Sequence, residues 1–427
     1  MKPAQRLSSL PPYPFARWAD HVAEARRAGL DVIRLDIGDP DLPPSDDVIH
    51  ALCHSARHPD YHGYPGYRGI PSLRAAIVAY YDRRFGVELD PDSQVVPLIG
   101  SKEGLVNLAL AYLDPGDLAL VPDPGYAPYS RGARLAGASI YAFPLRPERG
   151  FLPDFDAMPA AVANKAKLIW LNYPNNPTGA TADLKTLGRA VEFARRHDML
   201  LCHDAPYADV TYGGYQAPSV LQVPRAAEVA VEFNSLSKMA NMAGWRVGMA
   251  VGNAKAIQAL TQVKSNVDSG IFRPLQEAAV AALSADADWL AQRNGVYENR
   301  LDILAEALST IGLQASRPQA TLYLWTRIPG AADRERQPTA RAQDSGGRGW
   351  TSESFARALL EKTGIAVAPG SFFGAGGEGY IRVSATAPTA QIREAKDRLE
   401  ACELPVPFAD ASNPAPSAIN MYDTGAR

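Results

Sequence analysis

Between about residue 94 and residue 253 the chain repeats one pattern: a short apolar run, closed by Pro, Gly, Asn or Asp, and then a helical stretch. The runs are Asp117–Pro122, Ala166–Asn172, Met199–Asp204, Val229–Ser235 and Val247–Gly252. A strand that is apolar on both faces is covered on both faces, so the alternation predicts an α/β unit on a mostly parallel sheet. Ligands of such sheets gather beyond the carboxyl ends of the strands. Asn176, Asp204 and Lys238 each stand just after one of these runs.

A chain of 427 residues exceeds what one hydrophobic core usually holds, so a second unit is expected. Beyond Asp286 the pattern changes to a long amphipathic helix, a strand at Thr321–Trp325, a helix at Ser352–Lys362 and strands near Ile365–Ala368 and Tyr380–Ser384. The expected division is an N-terminal arm with part of a small domain (1–46), a large α/β domain (47–285) and a small α+β domain (286–404). Residues 330–349, rich in Arg, Asp, Gln and Gly, read as a mobile surface insertion, and 405–427 as a loose tail.

Composition removes several classes. A net charge of -3 without a basic stripe argues against a nucleic-acid partner. Cys53, Cys202 and Cys402 are odd in number and far apart, which fits reduced thiols better than disulfides or a metal site. No uninterrupted apolar run approaches the roughly 18 residues of a membrane span, and the first residues lack the order of a secretory signal. A cytoplasmic protein without metal is expected.

Four segments carry chemistry. Gly100-Ser101-Lys102-Glu103-Gly104 opens an amphipathic helix, and a small-residue turn feeding a helix N-terminus is either a phosphate site or a plain cap. Pro174-Asn175-Asn176-Pro177-Thr178-Gly179 is a turn able to hold the Asn176 amide toward a ligand. Asp204, at the rim of an apolar sheet with Tyr207 three residues on, needs a cationic partner, since a buried lone carboxylate is costly. Ser235-Leu236-Ser237-Lys238 ends another run with a possible amine nucleophile, and Trp245-Arg246-Val247-Gly248 adds an arginine suited to phosphate.

These segments, together with Pro124-Gly125-Tyr126 and Tyr380-Ile381-Arg382-Val383-Ser384, resemble class I/II aminotransferases, the fold-type-I group of pyridoxal-phosphate enzymes, in the order in which that family carries them. The resemblance runs from about Ala28 to Leu404 and implies a large domain with a mostly parallel seven-stranded sheet plus a smaller α+β domain. It implies pyridoxal 5'-phosphate (PLP) held by Lys238 as a Schiff base, with Asp204 on the ring nitrogen. Asn176 and Tyr207 would meet the ring's phenolic oxygen, and Tyr126 would stack on its face. Ser101, Lys102, Ser235, Ser237 and Arg246 would bind the phosphate, with Tyr64 reaching it from a second subunit of a homodimer. Arg382 would grip the substrate α-carboxylate beside Gly38, and Asn266 would contribute from the neighbouring subunit.

Within the group the likeness is to LL-diaminopimelate aminotransferases, on Asp36–Pro43, Asn241–Arg246 and Val263–Gly270. That implies amino transfer between LL-diaminopimelate and 2-oxoglutarate, on the way to lysine. The alternatives are an aspartate, alanine or aromatic aminotransferase, then a PLP lyase or a non-catalytic PLP-binding regulator. No G-x-G-x-x-G opens a helix after a strand, which disfavours a dinucleotide enzyme.

Overall fold

The computed structural model describes residues 1, 4–8, 10, 12–331 and 349–402. After a two-residue strand, β1 (Ile33–Arg34), come β2 (Val95–Leu98), β3 (Leu118–Asp123), β4 (Ser139–Pro144), β5 (Ala166–Asn172), β6 (Leu200–Asp204), β7 (Ala230–Ser235) and β8 (Gly248–Gly252). These seven form one sheet in the order β2-β8-β7-β6-β5-β3-β4. Only β8 runs against the others, antiparallel to both β2 and β7.

Side-chain alternation explains the two-sided burial. In β5, Leu168 and Trp170 face a core with Leu105 and Leu108 of the helix Ser101–Tyr112, whereas Ile169 and Leu171 face one with Leu187 and Val191 of the helix Leu184–Arg196. Each such side chain contributes about 2 kcal/mol through burial. The polar ends of β5, β6 and β7 share one edge of the sheet. Because β8 is reversed, the residues preceding it join that edge as well.

Four further strands follow: β9 (Tyr323–Arg327), β10 (Ile365–Ala366), β11 (Ala368–Pro369) and β12 (Tyr380–Ser384). β11, β12 and β9 make an antiparallel sheet, and β10 pairs in parallel with β1. Trp18 and Val22, from the helix Pro14–Arg27, are buried in one cluster with Tyr297, Leu301, Leu324 and Ile381. Tyr207 and Tyr212 belong to that same cluster, so the apolar core beneath β9 and β12 reaches the segment that follows β6.

Several expected elements shift. The strand expected at Thr321–Trp325 begins at Tyr323, because Thr321 has φ +78° and docks its backbone N–H on the Val210 carbonyl. The single run Ile365–Ala368 divides between two sheets, β10 and β11. β2 and β4 lie outside the apolar runs named above: β2 contains Pro97, which an edge strand tolerates, and β4 is an edge strand with exposed residues. Most of 330–349 and all of 405–427 fall outside the described residues. Among the described residues no helix is long and apolar enough to cross a membrane.

Candidate active site

The sheet edge opens into a cavity of about 360 Å³, within the roughly 300–1,000 Å³ usual for small-molecule sites. Asp204, Tyr207 and Asn176 line it from the sheet ends, with Lys238 among them. Ser101, Lys102, Ser235, Ser237 and Arg246 line one end, and Tyr126, Gly38 and Arg382 complete the wall. Tyr64 and Asn266 do not reach it. Tyr64 is 91% exposed, and the Asn266 amide donates to its own helix at Gln262 O, 2.8 Å away.

Asp204 ends β6 fully enclosed. Its Oδ2 accepts from the Tyr129 hydroxyl at 2.6 Å, while Oδ1 has no partner. Burial pushes this carboxyl up to about 6, opposed by the Tyr129 hydrogen bond and by His203. Tyr129 is itself set by stacking on Trp170, with ring centroids 5.1 Å apart. A buried carboxylate with one open oxygen can hold a cationic nitrogen.

Lys238 follows β7 in the short helix Leu236–Met239. Its ammonium donates to the Gly38 carbonyl. Burial lowers its pKa to about 8, helped by Arg382 and Arg246 and opposed by Asp39. An amine so depressed is partly neutral near neutral pH and can act as nucleophile or base. Arg293, on the long helix Ala287–Thr310, donates to the carbonyls of Lys238 (2.5 Å), Met239 (2.7 Å) and Asp209 (2.7 Å).

The helix Ser101–Tyr112 brings its first two residues, Ser101 and Lys102, into the cavity lining, where first-turn backbone N–H groups have no partner within the helix. Gly100 has φ +72°, and a Cβ there would lie 2.2 Å from Arg246 Nη2. A Cβ on Gly248 would lie 2.6 Å from the Ser101 nitrogen. Both glycines keep open a cradle of amides, hydroxyls and one guanidinium, the donor set an oxyanion needs.

Arg382 lies on β12, 3% exposed. Its Nη1 donates to Asn176 Oδ1 and its Nη2 to the Asp36 carbonyl, both at 2.7 Å, and its Nε has no partner. Asn176 is fixed in turn by its backbone N–H on Asn172 Oδ1, 2.8 Å. Phe373 and Tyr323 present ring faces to the guanidinium, with centroids 4.8 and 4.1 Å away.

Tyr13, Phe15, Tyr129, Tyr323 and Phe373 line the cavity without having been read from the sequence. Tyr129 carried a signal, standing three residues after Tyr126, the residue that caps its helix. The others come from segments distant in sequence and carried none.

The family model for aminotransferases of class I and II matches residues 30–399. The chain belongs to that family. This aminotransferase is 48% identical to an LL-diaminopimelate aminotransferase of Moorella thermoacetica, over 93% of the chain and 98% of the relative. A relative with the same name from Gloeobacter violaceus is 45% identical over 95% and 99%. Among solved structures, substrate-bound BacF from Bacillus subtilis is 36% identical with a TM-score of 0.85, covering 94% of this chain and 97% of that one. A single mutant of Thermus thermophilus aspartate aminotransferase is 29% identical with a TM-score of 0.83, covering 94% and 99%.

The enzyme is a PLP-dependent transaminase with the fold-type-I architecture. The cavity fits that cofactor on its own terms. The unpaired Asp204 oxygen suits a protonated ring nitrogen, the glycine-kept cradle suits a phosphate, and the Lys238 amine suits an aldehyde.

Proposed function

We propose that this aminotransferase moves an amino group between LL-diaminopimelate and 2-oxoglutarate, with Lys238 as the covalent anchor of PLP and Arg382 as the carboxylate grip. The observation that carries the reading is the convergence on one cavity of Lys238, Asp204 with one unpaired oxygen and Arg382 with its Nε unpaired. The donor assignment rests on relatives of that name at 44 to 48% identity over at least 92% of the chain.

In this reading Asp204 holds the ring nitrogen, Asn176 and Tyr207 meet the ring oxygen, and Tyr126 covers the ring. Ser101, Lys102, Ser235, Ser237 and Arg246 hold the phosphate. When bound, PLP supplies an aldehyde to take up the amino group and a ring to accept the electron pair left when a Cα–H bond breaks. The remaining work belongs to the chain. Two of Arg382's nitrogens are pinned by Asn176 and Asp36, so the guanidinium is oriented before a carboxylate arrives and fixes how the substrate Cα is presented. Lys238 Nζ would be the base that takes the Cα proton, and its depressed pKa suits it to do so near neutral pH.

Tyr64 and Asn266 then act from a second subunit of a homodimer in the cytoplasm, between a large domain (47–285) and a small one (286–404). Both lie on one exposed surface: Gly270, in the loop after Asn266, packs on the Gly66 carbonyl, and the exposed Phe272 lies 5.9 Å from the His62 ring.

The test is the visible spectrum of the purified holoprotein before and after separate additions of LL-diaminopimelate, aspartate, alanine and glutamate. LL-diaminopimelate and glutamate should each bleach the cofactor's visible band, aspartate and alanine far more slowly. Equal bleaching by aspartate would replace the substrate assignment, and no band after PLP addition would overturn the site.

A further inference from the structure

Tyr323 joins the two halves of this site. It opens β9, is 2% exposed, and pairs with Ser384 of β12, while Trp325 pairs with Arg382. Residues 323 and 325 share a face of the sheet, so Tyr323 is the diagonal neighbour of Arg382, within reach of a ring and a long side chain. That register places the guanidinium carbon 4.1 Å from the Tyr323 ring centroid. The same side chain turns its hydroxyl the other way, 2.8 Å from the Tyr207 hydroxyl. The hydroxyl also occupies the space a side chain at Gly38 would need, since a Cβ there would lie 1.9 Å from it. Gly38 is the residue whose carbonyl accepts from Lys238.

The two phenols have two protons and one contact between them. Were Tyr207 the donor, its proton would be used on Tyr323 and could not face a ligand. Donation by Tyr323 leaves the Tyr207 proton free for the cavity. The Arg382 charge over the Tyr323 ring favours this second arrangement, because donation moves electron density onto the oxygen of the phenol beside the cation. Burial is the largest cause that raises Tyr207 well above the ordinary phenol range, so Tyr207 keeps its proton to donate.

We infer that Tyr323 is a positioning residue with two separable tasks: its hydroxyl directs the Tyr207 proton toward the cofactor oxygen, and its ring holds the Arg382 guanidinium in the plane that receives the substrate carboxylate. The inference rests on the roles proposed above for Tyr207 and Arg382.

Tyr323→Phe keeps the ring and removes the hydroxyl; Tyr323→Leu removes both. A hydrogen bond from Tyr207 competes with the Lys238 nitrogen's proton for the cofactor oxygen, so weakening it should move the pH midpoint of the holoprotein's visible band upward. In Tyr323→Phe the expected rise is roughly half a pH unit, with KM for the amino donor within about twofold of wild type. In Tyr323→Leu the same midpoint shift should come with a roughly tenfold rise in donor KM and in the dissociation constant of succinate as a dicarboxylate inhibitor. An unshifted midpoint in Tyr323→Phe, or equal KM in the two variants, overturns the inference. Arg382→Gln is the control: if it leaves succinate affinity unchanged, the assignment of Arg382 fails, and this inference falls with it.

Discussion

The floor and the wall of the cavity are built on different principles. The floor residues stand at the ends of neighbouring strands: Asp204 closes β6, and Asn176 and Lys238 come in the short segments just after β5 and β7. The wall residues Arg382, Tyr323, Phe373 and Phe15 come from two strands, a short helical turn and the start of the N-terminal helix. The β9–β12 register sets Arg382 beside Tyr323, and Phe15 and Phe373 join them through cation–π and edge-to-face ring contacts. A floor fixed by backbone geometry suits a cofactor whose chemistry never changes. A wall completed by side-chain contacts can be retuned one residue at a time.

Breaking the floor should give the largest effect. Lys238→Ala should lower turnover by roughly four orders of magnitude or more and remove the visible cofactor band, measured by steady-state assay and spectrum together. An active variant would show that the amine is not the group at work. Breaking the wall should give a smaller and different loss. Arg382→Gln should raise donor KM by roughly a hundredfold, the worth of a buried charge-assisted hydrogen-bond pair, while leaving the visible band in place. Loss of the band in that variant would mean that wall and floor are not separable.

The smallest effect sharpens the comparison within the floor itself. Asp204 titrates near 3.8 when unfolded and near 6 when folded without cofactor, so the cofactor-free fold binds the extra proton and loses stability as pH rises through that window. Replacing it with Asn should stabilise the cofactor-free protein above that window by up to about 3 kcal/mol, and do nothing for it below. Thermal midpoints of both apoproteins on either side of the window test this. A wild-type midpoint that does not fall with pH, relative to Asp204→Asn, would remove the claim that the carboxylate is held there at a cost for the sake of a ligand.

The same contrast explains what the sequence made legible. Asp204 and Lys238 could be placed at the cavity because each comes at or just after an apolar run, where the strands of an α/β sheet end, and because the neighbouring segments fall in the order of a known family. The sheet of β5 to β8 could be read because two-sided burial leaves continuous apolar stretches. Tyr323 and Phe373 could not, because aromatic residues in an apolar stretch look like core until a distant arginine is brought beside them. Thr321 misled in a similar way: it opened the run expected as a strand, but its left-handed backbone goes with docking on Val210 and with the Tyr212 hydroxyl on its carbonyl.

Arg293 gives the long helix Ala287–Thr310 a mechanical role. With 24 residues the helix is about 36 Å long, and its far half, with Leu304 and Leu308, is embedded in the core beneath β9 and β12. Its near end is bolted by one guanidinium to the carbonyl of Lys238. The helix therefore ties the core beneath β9 and β12 to the backbone at Lys238 with no loop in between.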